Sequence, residues 1–205
     1  MSRRTSAKQL HRRTGVRPEY HTVVVFTEGK ETECDYISAL TKLPHVMNNT
    51  ALSVNIDPEH GIDPLTMVKR ASKRRQNPEV DECWCVFDVE WPQHHPHLGE
   101  AHSLALKNSV ELAISNPCFE LWLILHFQPQ SKFVDTNGAQ QLCKKLDGHQ
   151  GKSINARIYM AKIPTAVQNA EALEIWHEKN GTVFPQDNPS SGMFKFVRAI
   201  GADQP

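Results

Sequence analysis

The segment HTVVVFTEGK, residues 21–30, decides how the chain is organised. Residues 21–26 form a short β-branched run without polar alternation, which predicts a strand buried on both faces, as in a parallel sheet. The run stops at Thr27-Glu28-Gly29-Lys30, and apolar residues then recur at helical spacing until Pro44, which ends the predicted helix. The segment therefore predicts a buried strand followed by an amphipathic helix.

The same alternation of strand and helix continues along the chain. Further strands are predicted at 51–56, 83–88 and 110–115. Further helices are predicted at 63–75, with Asp63 as N-cap and Pro64 in the first turn, at 97–109 and at 116–127. Four repeats of this alternation predict an α/β protein with a mostly parallel sheet of about four strands and helices on both faces.

Length and composition set the domain organisation. The 205 residues fit one domain, predicted as residues 20–205 behind a basic flexible tail at 1–19. Its core is predicted at about 21–127, and helical patches at 138–146, 164–178 and 190–199 form a C-terminal decoration of about 136–200. No apolar run approaches the ~20 residues of a membrane span. Five cysteines, an odd number, favour reduced thiols in the cytoplasm.

Three carboxylates follow predicted strands. Glu28 follows the first strand, Asp88 ends the third, and Glu90 stands two residues later, on the same side of an extended chain. In parallel sheets, functional sites lie beyond the carboxyl ends of the strands. Gathered carboxylates repel unless a hard cation neutralises them, and Mg²⁺ favours such oxygen ligands. The alternative is three surface carboxylates that happen to follow strands. Gly29 leaves room for a tight turn or for a phosphate.

Two basic blocks interrupt a chain of zero net charge. One lies in the first seventeen residues, and the other comprises Lys69, Arg70, Lys73, Arg74 and Arg75. Such blocks hold phosphates electrostatically, so they are candidate nucleic-acid contacts. The alternative is a tail and the solvated face of a helix.

Three motifs, taken together, resemble known families. VFTEGKETE (25–33), followed by a strand ending in FDVE (87–90), resembles the Toprim signature. With the run ISNPCFELWLILHF (114–127), the chain resembles the RloB-like family of bacterial restriction and phage-defence loci, from about residue 21 to the NPSS segment (188–191). The resemblance implies a Toprim-like fold in which Glu28, Asp88 and Glu90 act around Mg²⁺ or Mn²⁺ on phosphodiester bonds. Glu90 departs from the family's aspartate by one methylene.

Further candidates surround these acids. Glu33 lies one turn into the first helix and is a candidate metal ligand; the alternative is a solvent-facing acid near the positive end of that helix. Glu120 lies in an otherwise apolar helix, where a lone carboxylate is costly, so it is a second candidate ligand; the alternative is an exposed helical position. Ser115 and Asn116 follow the fourth strand, and by resemblance to related nucleases they support the metal site or a phosphate; a helix-capping role is the alternative. Lys162 could neutralise charge on the phosphate or be a surface lysine. His126 is interpreted as a hydrogen-bonded core residue.

The sequence therefore leaves two functions open. The first is a metal-dependent nuclease acting on DNA or RNA in bacterial defence. The second is a non-catalytic module that binds nucleic acid or a partner ATPase, since the chain lacks the G-x-x-x-x-G-K-[ST] motif of an ATPase of its own. Zinc at His94, His95 and His97 with Cys83 and Cys85 is disfavoured, because their spacing fits no standard site.

Overall fold

The computed structural model describes residues 20–149 and 153–204. A five-stranded sheet has the order β2-β1-β3-β4-β5. The first four strands are parallel and β5 runs antiparallel to β4. Their bounds are β1 His21–Thr27, β2 Leu52–Ile56, β3 Glu82–Asp88, β4 Glu111–Asn116 and β5 Ser190–Ser191. The predicted mostly parallel α/β sheet is confirmed; the predicted tail at 1–19 lies outside the described residues.

Helices connect and cover these strands. Their bounds are α1 Thr32–Leu40, α2 Pro44–Met47, α3 Pro64–Arg75, α4 Leu98–Lys107, α5 Phe119–Leu125, α6 Thr136–Asp147, α7 Arg157–Met160, α8 Ile163–Asn180 and α9 Met193–Ala199. Asp63 caps α3 as predicted, since its carboxylate accepts the Thr66 N–H at 3.1 Å. Pro44 starts α2 and does not merely end α1. Among these described helices none has both the length and the apolar character of a membrane span.

Side chains of β1 alternate between two apolar layers. Val23 and Val25 pack with α1, α5, α8 and α9 on one face of the sheet, whereas Val24 and Phe26 pack with α3 and α4 on the other. Each strand residue therefore meets a core, which explains the continuous apolar run in the sequence. Helices on both faces are confirmed.

The chain after residue 127 completes the first of these layers. Phe196 of α9 packs edge-on against Trp84 of β3, with ring centroids 5.4 Å apart. Residues 190 and 191, predicted as the start of a helix, instead pair with β4, and Gly192 follows them. A Cβ at Gly192 would lie 3.2 Å from the backbone nitrogen of Ile114, so this close approach favours glycine. The C-terminal elements thus form part of the apolar core on this face of the sheet.

Helix α5 begins later than the sequence predicts. Residues 116–118 were expected in this helix, but Asn116 pairs with Ser190 in the sheet and Cys118 is extended. The helix also ends earlier, at Leu125, and within it Leu121, Trp122, Leu123 and Ile124 are fully buried. Its first turn emerges at the carboxyl edge of the sheet and carries Glu120.

Candidate functional site

An acidic cleft lies at the carboxyl edge of the sheet, where β1 and β3 are neighbours. Its volume is about 500 Å³. Six carboxylate residues line it: Glu28, Glu31, Glu33, Asp88, Glu90 and Glu120. Lys30, Lys144 and Gln140 also contribute to its wall. The structure thus brings all five predicted acidic ligands into one cleft, although they come from three separate segments of the chain.

Glu28 links the ends of the two central strands. Its own N–H donates to the Val86 carbonyl at 3.0 Å, which continues the pairing of β1 with β3. Its carboxylate accepts the Asp88 N–H at 3.3 Å. The other oxygen, Oε1, lies 2.8 Å from His95 Nε2. This contact with Glu28 is the largest cause of the raised pKa of His95. Glu28 is therefore held from both sides at the cleft wall.

Asp88 places its carboxylate where a negative charge is unfavourable. Its Oδ1 is inaccessible to solvent and has no hydrogen-bond partner among the described residues. Burial raises its pKa well above the usual value, and the neighbouring charges of Glu33, Glu120, Glu28 and Glu90 raise it further. An orphaned oxygen among like charges is costly unless a proton or a cation neutralises it.

Glu33 fills the space beside Gly29. Its Oε1 accepts the Gly29 N–H at 3.0 Å, and the residue is 6% exposed. A Cβ at position 29 would lie 1.8 Å from Glu33 Oε2, so any larger residue would displace this carboxylate. The room that Gly29 leaves is thus occupied by Glu33. Burial raises the pKa of Glu33, and Glu120 and Glu28 contribute to the rise.

Glu90 reaches the cleft by a different backbone path from the predicted one. The expectation that Asp88 and Glu90 share one side of an extended strand is wrong, because β3 ends at Asp88 and Glu90 has φ 64°. This left-handed conformation is uncommon for a residue other than glycine. Two bonds hold it: the Glu90 N–H donates to the Pro117 carbonyl, and its carboxylate accepts from the Thr136 hydroxyl, both at 2.8 Å.

Three of the predicted supporting residues have other partners. The Ser115 hydroxyl lies 3.0 Å from that of Ser191, and Asn116 donates to Asp187 and to the Pro185 carbonyl. Both therefore fasten the C-terminal segment to β4. Lys162 places its ammonium 3.8 Å from the centre of the Phe127 ring. Lys30 and Lys144 line the cleft instead. No sequence pattern distinguished Lys144, because it reaches the cleft only through the packing of α6 against α5.

The cleft carboxylates form an open cluster. Among the described residues, no three cleft carboxylates have oxygens that all lie within 4.8 Å of one another. The trio of side chains that meets this distance is Cys143, Asp147 and His149. The all-oxygen donor set and the orphaned Asp88 oxygen still fit a hard divalent cation such as Mg²⁺. The carboxylates would draw together around it.

The second basic block lies mainly away from the cleft. Helix α3 begins near the carboxyl edge and its twelve residues extend it about 18 Å towards the start of β3. Arg70 contacts Asp57 and Glu59, and Arg75 donates to the Val80 carbonyl. Lys69, Lys73 and Arg74 are exposed. The block thus offers three solvated cations, because its two other members have protein partners.

Fold and site together define a class of protein: a mostly parallel α/β domain, consistent with a Toprim-like fold, with an acidic cleft at the carboxyl edge. Comparison with family models then identifies the family. The model described as RloB-like protein matches residues 23–200. The chain therefore belongs to the RloB-like family. No curated protein and no solved structure gave a significant match.

Proposed function

We propose that this protein is a metal-dependent nuclease that hydrolyses phosphodiester bonds of DNA or RNA with Mg²⁺ or Mn²⁺. The observation that carries the proposal is the orphaned Asp88 oxygen, surrounded by Glu28, Glu33, Glu90 and Glu120. Folding would not favour five converging carboxylates for stability alone, because each raises the cost of ionising the others. A divalent cation removes that cost.

Each acid has a distinct part in this proposal. Asp88 and Glu28 would hold the ion directly, and so would Glu90, whose carboxylate is oriented by Thr136. Glu33 and Glu120 would complete the ligand set. When bound, the ion lowers the pKa of a coordinated water and stabilises charge on the phosphate oxygens.

Other residues of the cleft act on charge and position. Lys144 and Lys30 are cations in the wall of an acidic site, so they would attract the phosphate that the carboxylates repel. His95 lies against Glu28 and would fix the orientation of that carboxylate. The exposed cations Lys69, Lys73 and Arg74 would hold a nucleic-acid strand outside the cleft without reading its sequence. We place this activity in bacterial defence in the cytoplasm, with a genetically linked ATPase as a candidate partner.

The decisive experiment compares cleavage by the parent, Glu28→Gln and Asp88→Asn. Labelled single- and double-stranded DNA and RNA are incubated with Mg²⁺, Mn²⁺ or a chelator. The parent should cleave only with metal, and both variants should lose cleavage because each removes a charged ligand with little change in shape. Glu111→Gln is the matched control, since Glu111 is an exposed carboxylate at the opposite end of β4. Full activity of Asp88→Asn would contradict the proposal.

One observation favours the non-catalytic alternative: within the part of the chain that the structure describes, no three cleft carboxylates have oxygens within 4.8 Å of one another. In that case the domain would bind nucleic acid or a partner ATPase and leave phosphodiesters intact. Calorimetric titration with Mg²⁺ and Mn²⁺ separates the two functions, because a pure binding module need not bind the ion. A protein that binds metal but cleaves nothing alone is retested with its genetically linked partner.

A further inference from the structure

A second cluster of ligand atoms lies outside the acidic cleft, at the C-terminal end of α6. Cys143 and Asp147 are four residues apart, so they share one face of this helix. The helix ends at Gly148, whose φ of 73° turns the chain back and places His149 beside Asp147. Their three ligand atoms, a sulfur, a carboxylate oxygen and a ring nitrogen, all lie within 4.8 Å of one another.

We propose that Cys143, Asp147 and His149 form a structural zinc site, in which a water molecule would complete the usual four ligands. Thiolate, imidazole and carboxylate are the three zinc ligands of proteins, whereas Mg²⁺ and Ca²⁺ avoid sulfur. Zinc bond lengths of about 2.0–2.3 Å place neighbouring ligand atoms roughly 3–4 Å apart. Cys143 Sγ already lies 4.0 Å from Asp147 Oδ2, and His149 Nδ1 lies 2.7 Å from the same oxygen. Small side-chain rotations therefore suffice to close the set around one ion.

The surroundings of this cluster suit a structural ion. Cys143 is fully buried, and the Asp147 and His149 side chains are 1% and 9% exposed. Tyr159 of α7, also fully buried, donates its hydroxyl to Asp147 and fixes that carboxylate as an outer-shell partner does in metal sites. Binding would release the thiol proton of Cys143 to solvent, because the thiolate is the ligand.

The proposed ion would stabilise one wall of the acidic cleft. Lys144 and Gln140 line that cleft from the same helix, and Lys144 directly follows Cys143. Zinc would fix the C-terminal end of α6 and so hold Lys144 in place. This site is independent of the proposed nuclease activity, because its ligands are distinct from all six cleft carboxylates.

Metal content of the purified chain tests the proposal. Protein is saturated with zinc, dialysed against metal-free buffer and analysed by elemental mass spectrometry. The parent should retain about one zinc per chain, and Cys143→Ser and His149→Gln should lose it. Cys34→Ser is the matched control, because Cys34 is a half-buried thiol that contacts Thr27 and His60 in a separate cluster. Asp88→Asn should retain zinc, which separates this site from the cleft.

Cobalt substitution reports on the sulfur ligand directly. The Co²⁺ form of the parent should show a sulfur-to-metal charge-transfer band that Cys143→Ser abolishes and Cys34→Ser keeps. If Cys143→Ser does not fold, His149→Gln provides the test, because its side chain lies at the helix end and leaves the core thiol in place. A parent that retains no zinc, or variants that retain as much as the parent, would show that the cluster is held by hydrogen bonds alone.

Discussion

The buried pair Tyr36 and His126 should make the protein sensitive to acid. His126, 1% exposed, donates from Nδ1 to the Trp122 carbonyl and accepts the Tyr36 hydroxyl at Nε2, both at 2.9 Å. The bond from Tyr36 requires the neutral ring, because a protonated Nε2 cannot accept, and burial lowers the pKa of His126 from 6.5 to about 4. A folded pKa below the unfolded one contributes stability above pH 6.5 that is lost as pH falls towards 4. The shift corresponds to roughly 3 kcal/mol.

Urea unfolding across this pH range measures that contribution. We compare the parent with His126→Gln, so that other titrating groups cancel in the difference between the two free energies of unfolding. The amount by which the free energy of unfolding of the parent exceeds that of His126→Gln should shrink by roughly 3 kcal/mol between about pH 7.5 and pH 4. Tyr36→Phe is the control: it keeps the ring, should cost about 1–3 kcal/mol at neutral pH and should retain most of the acid-induced loss. A shrinkage below about 1 kcal/mol would refute the assignment of a neutral buried ring.

Three further predictions concern the cleft and the basic block. Because the pKa of Asp88 is raised in the folded state, the free energy of unfolding of the metal-free parent should fall as pH rises above about 4. Asp88→Asn should remove this decline, so calorimetry at pH 7 should show a higher melting temperature for this variant than for the parent. Gly29→Ala should lower the melting temperature by displacing Glu33, and Glu33→Ala in the same chain should restore it if the clash is the cause. Replacing Lys69, Lys73 and Arg74 with Gln should reduce the salt dependence of duplex binding by up to about 3 in slope; an unchanged slope in fluorescence titrations would exclude the block from the interface.

Much of the fold was predictable because the sequence pattern and the burial pattern agree. The run at 21–26 is apolar at every position because both faces of β1 are covered, and Asp63-Pro64 specifies where α3 starts by local chemistry alone. The prediction was wrong at residues 116–118 and 190–191. There, pairing between β4 and β5 overrides local helical preference, and that pairing joins segments more than seventy residues apart.

The sequence by itself determined most of the elements and the acidic residues at the ends of β1 and β3, since strand ends and caps depend on neighbours in the chain. It also specified the family, through motifs at 25–33, 87–90 and 114–127. Only the tertiary structure decided that β1 lies beside β3, that Glu90 enters the cleft through a left-handed backbone, and that Lys144, not Lys162, lines its wall. Only the tertiary structure also brought Tyr159 to the cluster of Cys143, Asp147 and His149. The physical reason is that such convergence depends on how helices pack across the sheet, and packing follows the shape and burial of distant side chains.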